Sequence, residues 1–148
     1  MPEIFQKIVV AVDGSPHAER AIEVAVDLAK HYHAALSIVT VIPAPVVVTA
    51  TEPWVPPQLP DAEAKYYHDI LEKAKKKAED LGAPAKKTDI LEGHVVEELL
   101  TYIEKEVPDL LVIGSRGLST ARRLLLGSVS DALVHHVKCP TIVVKRGV

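Results

Sequence analysis

Cysteine is all but absent from this chain: Cys139 stands alone among 148 residues. One thiol closes no internal disulfide and builds no cysteine-based metal cluster, which fits a reducing compartment. Cys139 directly precedes Pro140, where a small buried apolar residue serves equally well, so its expected role is packing rather than reactivity. Neither sign of charge dominates. The formal net charge is −3 and the pI about 6.1, which gives no electrostatic reason to expect nucleic acid or an anionic membrane as partner. The basic run Lys73, Lys75, Lys76 and Lys77 is followed by Glu79 and Asp80 and reads as a solvated helix face. A long hydrophobic run is missing too, since nothing reaches the roughly 20 apolar residues of a membrane-spanning helix. The start, Met1-Pro2-Glu3-Ile4-Phe5, lacks the basic-then-apolar build of a signal peptide. A cytoplasmic protein is expected.

What is present is ordinary globular composition, 48% apolar and 25% charged, on a length that suits one domain over residues 1–148 and therefore one site. Lys7 to Val12 is an apolar run of the kind found in strands covered on both faces. It stops at Asp13-Gly14-Ser15-Pro16, where Ser15 suits a helix cap and Pro16 the first helical position. Ala18, Ala21, Ile22, Ala25, Val26 and Ala29 then follow at the spacing of one helix face. Ala35 to Ile42 reads as a second strand. Tyr67, Ile70, Leu71, Ala74, Ala78 and Leu81 form a second helical stripe, stopped by Gly82. Lys87 to Leu91 is a more polar strand suited to an edge. Val96, Leu99, Leu100, Ile103 and Val107 predict a third helix broken by Pro108, and Asp109 to Ile113 a fourth strand. A last helix from about Ser128 to Val137 precedes a fifth strand, Thr141 to Lys145. Alternating strands and helices predict an α/β fold: a doubly wound, open parallel sheet with right-handed crossovers and helices on both faces.

In such sheets the ligand lies beyond the carboxyl ends of the strands, where the winding reverses. Strand order 3-2-1-4-5 would set Asp13 opposite the loop opened by Gly114; order 2-1-3-4-5 would set it opposite Glu92 and Gly93. The glycines after strand four favour the first. That loop reads Gly114-Ser115-Arg116-Gly117, then nine residues, then Gly127-Ser128-Val129-Ser130. Glycines let a ligand approach the main chain, and amides at a helix start favour anions. Phosphate could therefore meet N–H groups of two separated turns, helped by the hydroxyls of Ser128 and Ser130. Taken singly, Gly114 could merely end a strand and Gly127-Ser128 merely open a helix; it is their combination opposite an acidic turn that points to phosphate. No lysine follows a glycine at Walker spacing, and the turn at Asp13 is not the GxGxxG of dinucleotide binders, so P-loop hydrolysis and hydride transfer are disfavoured. The seven histidines form no catalytic site by spacing. His135 and His136 fall in the last turn of a helix, where positive charge is favourable. Pro43 to Pro60, holding six prolines and the lone Trp54, is either a lid over the site, a mobile insertion or a subunit contact.

On these residues the chain resembles the universal stress protein family, in its nucleotide-binding branch. The family pattern Gly-x2-Gly-x9-Gly-Ser/Thr stands here as Gly114, Gly117, Gly127 and Ser128, and the likeness runs from Lys7 to Val144. It implies the 3-2-1-4-5 sheet, ATP as ligand, and a homodimer; Mg²⁺ is expected with the triphosphate. It also implies roles: Ala11, Val12 and Asp13 meet the nucleoside, Val41 supplies main-chain contact to adenine, and Ile113 and Gly114 lie beside the ribose. Gly117, Gly127, Ser128, Val129 and Ser130 become phosphate contacts. Asp13 suits a nucleoside hydroxyl or a water of Mg²⁺, and equally the capping of its own turn. Arg116, Arg122 and Arg123 lie within the motif, where they either steer a triphosphate or face water. Ser130 replaces the threonine of some relatives and keeps the hydroxyl.

The leading expectation is an ATP-binding regulatory module that reports nucleotide or stress status to a downstream protein. A slow ATPase or phosphate-transfer enzyme on the same pocket is one rival, although no catalytic nucleophile and base pair is visible in the sequence. A nucleotide-free dimeric scaffold is another, against which the complete glycine motif argues. Strand five, with Thr141, Ile142, Val143 and Val144, is expected at a sheet edge, where it invites pairing with a second copy.

Overall fold

A computed structural model describes residues 4–43, 61–115 and 128–145. It contains five strands, β1 (Lys7–Ala11), β2 (Ala35–Pro43), β3 (Lys87–Gly93), β4 (Leu110–Gly114) and β5 (Thr141–Val144). Four helices alternate with them: α1 (Pro16–Tyr32), α2 (Asp61–Asp80), α3 (Val95–Glu106) and α4 (Ser128–His136). All strand pairs are parallel and the order is β3-β2-β1-β4-β5, the first of the two orders that the sequence left open.

Burial on both faces explains why the central strands read as unbroken apolar runs. Ile8, Val10, Leu36, Ile38 and Val112 point to one side, against the alanine-rich stripe of α1 and against Leu71, Ala74 and Ala78 of α2. Val9, Val39, Leu111 and Ile113 point to the other, against Leu99, Tyr102 and Ile103 of α3 and Leu133 of α4. Small alanines at 18, 21, 25 and 29 bring α1 close to the sheet, and all four are buried. The cap of α1 forms as its sequence requires: Ser15 is extended and its hydroxyl accepts the N–H of Ala18 at 3.1 Å.

The far ends of the helices correct two expectations. Leu81 does not belong to the core stripe of α2. It is exposed at the helix end, where Gly82 (φ +99°) turns the chain and the N–H groups of Gly82 and Ala83 bond back to Glu79 and Ala78 at 3.0 Å each. Val107 is likewise no core residue of α3 but its cap, with φ 48° and 72% exposure. The α3 stripe passes instead through Tyr102, whose hydroxyl donates to Asp89 Oδ2 at 2.8 Å. Strand ends differ from the predicted ones by one or two residues, β2 and β3 running on to Pro43 and Gly93.

At the amino end of the sheet, ion pairs brace the strand starts. Glu106 bonds Lys87 and, at 3.0 Å, Lys7, and these two ammonium groups hold its carboxyl below the usual range. Asp109 Oδ2 accepts the main-chain N–H groups of Gln6 and Lys7 at 2.9 Å each.

A β-branched residue in the left-handed region is strained, and the exposed Val107 side chain gains little from packing in return. Val107→Gly should therefore raise the unfolding free energy by about 1 kcal/mol, read from the urea midpoint at unchanged slope. A lower midpoint would show that the side chain contributes more than the backbone strain costs.

Candidate functional site

The site begins where two neighbouring strands part. β1 and β4 pair through Ile8–Leu110, Val9–Leu111 and Val10–Val112, and no further. Beyond that point β1 stays with β2, through Ala11–Val39 and the bond from Val12 N–H to the Val39 carbonyl at 2.9 Å. β4 stays with β5 as far as Gly114–Val144. The chains leaving β1 and β4 wind onto opposite faces of the sheet, so a crevice opens between their carboxyl ends. A cavity of about 320 Å³ occupies it, at the low end of the ~300–1,000 Å³ typical of small-molecule sites.

Its walls are mainly apolar. Val39 and Val41 of β2, Ile113 of β4, Val95 and Leu99 of α3 and Leu133 of α4 make the α3/α4 side. Asp13, Ala18 and Tyr67 close the side of α1 and α2. Such walls suit a flat, largely apolar ring system, with the polar parts of a ligand directed to the few polar groups at the margin.

Three hydrogen bonds shape those margins. Thr40, buried in β2, donates through Oγ1 to the Val12 carbonyl at 2.7 Å and fixes the end of β1. Ser130 donates through Oγ to the Gly114 carbonyl at 2.6 Å, which ties the first turn of α4 to the end of β4. Ser115 is buried, its Oγ lies 3.0 Å from His17 Nδ1, and its N–H donates to the Val144 carbonyl at 2.8 Å. The Ser115–His17 pair joins residues 98 apart in the chain, which no spacing argument could bring together. Neither residue lines the cavity, so the contact acts as a tether between α1 and the residue after β4.

The structure gathers Ala11, Val12, Asp13, Val41, Ile113, Gly114, Val129 and Ser130 around this one cavity. Ser128 is exposed at the start of α4. Arg116, Gly117 and Gly127, with Arg122, Arg123 and the segment after Pro43 that holds Trp54, lie outside the described residues. Asp13 performs the capping expected of it, its Oδ1 accepting the Ser15 N–H at 2.9 Å, while also lining the cavity. The hydroxyl of Ser130, expected at phosphate, donates to main chain here. Sequence reasoning missed Val39, Thr40, Pro43, Val95, Leu99, Leu133, Ala18 and Tyr67 as lining residues. Burial raises the Cys139 thiol above its ordinary range, in keeping with its packing against the α3/α4 core. Among the described residues no group of three or more His, Cys, Asp or Glu could hold a metal ion, and no helix is long and apolar enough to cross a membrane.

Gly114 is small because α1 comes close. A Cβ there would meet His17 Cβ at 2.9 Å, His17 C at 3.0 Å and Ala18 N at 3.1 Å, two of them main-chain atoms that cannot step aside. Gly114→Ala should thus destabilise the ligand-free protein by about 1–3 kcal/mol, measured by urea unfolding. An unchanged midpoint would mean that the helix start gives way freely and that the glycine serves the ligand alone.

Comparison with known proteins agrees with this architecture. A sequence model described as the universal stress protein family matches residues 4–145. Universal stress protein YxiE of Bacillus subtilis is 36% identical over 149 aligned residues, covering 96% of this chain and 100% of that protein. The solved structure of universal stress protein UspA from Lactobacillus plantarum superposes with a TM-score of 0.80 at 26% identity, over 95% of this chain and 97% of its own. A universal stress protein solved in complex with cAMP superposes at 0.72 with 28% identity, over 97% and 98%.

Proposed function

We propose, from the premise that the chain belongs to the universal stress protein family, that it binds ATP in the crevice between β1 and β4 and serves as a regulatory module. The observation that carries this reading is the apolar cavity at the parting of those strands, flanked by Asp13 on one side and the first turn of α4 on the other. Adenine would lie against Val41, Val39 and Leu99, with the ribose beside Asp13, Ile113 and Gly114. The phosphates would extend toward Ser128, Val129 and the motif glycines Gly117 and Gly127, where main-chain N–H groups at a helix start suit anions. Magnesium would arrive with the triphosphate, and Asp13 is the lining carboxylate able to hold one of its waters. The relative solved with cAMP supports an adenine nucleotide as ligand class.

Tight binding by the folded state alone raises stability, by about 2.7 kcal/mol at a hundredfold excess over Kd. Thermal melts of the purified protein should therefore shift upward with ATP and much less with GTP, whose ring differs in its polar edge. No shift with any adenine nucleotide at millimolar concentration would contradict the reading.

The edges of the sheet differ in a way that supports a homodimer. β3 carries Lys87, Asp89 and Glu92, charges that discourage edge pairing, whereas β5 reads Thr141-Ile142-Val143-Val144 with none. A second copy pairing along β5 would cover this edge and join two nucleotide sites through the sheets. Sedimentation equilibrium at micromolar concentration should give twice the 16.1 kDa chain mass, with Val143→Lys shifting it to monomer; a monomeric wild type would contradict the assembly.

A further inference from the structure

Four of the residues lining the cavity have polar side chains: Asp13, Thr40, Tyr67 and Ser130. A hydroxyl has one proton to donate. Thr40 already gives its proton to the Val12 carbonyl and Ser130 gives its own to the Gly114 carbonyl. Asp13 has one oxygen on the Ser15 N–H, and its second carries no hydrogen bond among the described residues. The Tyr67 hydroxyl, too, has no hydrogen-bond partner among the described residues. Since no fully buried side-chain N or O among the described residues lacks a partner, that hydroxyl keeps accessible surface, on a residue that lines the cavity. Thr40 and Ser130 can therefore still accept but not donate, and the Tyr67 phenol is the lining hydroxyl with its proton still to give, on the same side of the cavity as the Asp13 carboxylate.

Their placement follows from the helix. α2 returns against the direction of the strands, so its early residues sit over the carboxyl ends of β1 and β2, and its Ile70 packs on Gly14, where a Cβ would lie 3.0 Å from Ile70 Cδ1. Tyr67, one turn earlier, is buried and its ring is held edge-on to Tyr66 with centroids 5.2 Å apart. Burial first, and then the negative charge of Glu63 and Asp13 together with Tyr66, raises the phenol above its ordinary range. At neutral pH it keeps its proton and can donate.

We propose that Tyr67 is a specificity-determining residue of this site: its phenol and the Asp13 carboxylate together recognise the cis-diol of a ribose and so favour ribonucleotides over 2′-deoxyribonucleotides. The proposal rests on the nucleotide reading above. A cis-diol offers two adjacent O–H groups, each donor and acceptor. The carboxylate can only accept, and the phenol can donate, so the pair matches the diol in sense. When one sugar hydroxyl is missing, a polar group of the site loses its partner, which is the arrangement by which proteins discriminate most sharply against an analogue lacking a hydroxyl.

Calorimetric titration of wild type and Tyr67→Phe with ATP and with dATP tests it. Wild type should bind ATP roughly tenfold more tightly than dATP, the effect of about one hydrogen bond. Tyr67→Phe should lose roughly tenfold for ATP and stay within about twofold for dATP, so that the preference disappears. Equal losses for both nucleotides, or none, would make Tyr67 a wall only and overturn the proposal. Should the phenylalanine variant prove unstable in a melt, Tyr67→Met, smaller but flexible and likewise without a hydroxyl, carries the same expectation for the ATP-to-dATP ratio. A wild type that binds both nucleotides equally overturns this inference and leaves nucleotide binding standing; one that binds neither overturns both.

Discussion

After Val10 and Val112 the main chains of β1 and β4 stop bonding to each other, and the ligand end of this protein follows from that separation. Two strands held together to their tips would leave no room between the turn at Asp13 and the chain leaving Gly114. The separation is imposed by winding: the connection after β1 goes over one face and the connection after β4 over the other, so each strand tip is pulled toward its own helix. Neighbours on the outer side hold each tip in place, β2 through Val39 for the end of β1 and β5 through Val144 for the end of β4. The crevice is thus open while its rims stay fixed, which is what a preformed binding site requires.

The two ends of the sheet are built from different chemistry. At the amino end Lys7, Lys87, Glu106 and Asp109 tie strand starts and the α3 terminus together with ionic and main-chain hydrogen bonds. At the carboxyl end hydroxyls make most of the ties: Thr40 to Val12, Ser130 to Gly114, Ser115 to His17. Each of these ties uses a short side chain that reaches the main chain or a ring beside it without filling the cavity. The hydroxyls of Thr40 and Ser130 engage the backbone, and the lining is otherwise largely aliphatic, with Asp13 and Tyr67 its other polar side chains.

The fold was largely legible because burial on both faces makes periodicity a strong signal, and because Ser15, Pro16 and Gly82 mark helix ends by mechanism. Val107 is not legible as a cap since its spacing continues the α3 stripe by one more turn, and spacing cannot show that the backbone has already turned left-handed before Pro108. Half of the cavity was legible in the same way, through residues at strand tips and next to glycines. Leu99, Leu133 and Tyr67 were not, for they also obey core periodicity, and a residue that lines a cavity beside the core has the same spacing as one inside it. Tyr67 did carry a usable sign: a polar-tipped aromatic at the start of the stripe, in a helix whose start must lie over the strand tips. Ser115 with His17 carried none, because the pair exists only once the sheet is assembled.

Titration of isotopically labelled protein with ATP, followed by amide ¹H–¹⁵N spectra, tests the central claim most directly. The account predicts the largest shifts at residues 11–13, at Val41 and across 113–115 and 129–130, the two rims of the crevice between β1 and β4. Shifts confined to the second groove, of about 240 Å³ between the ends of α3 and α4 beside Leu100, Ile103 and Cys139, or no shifts at all, would contradict it.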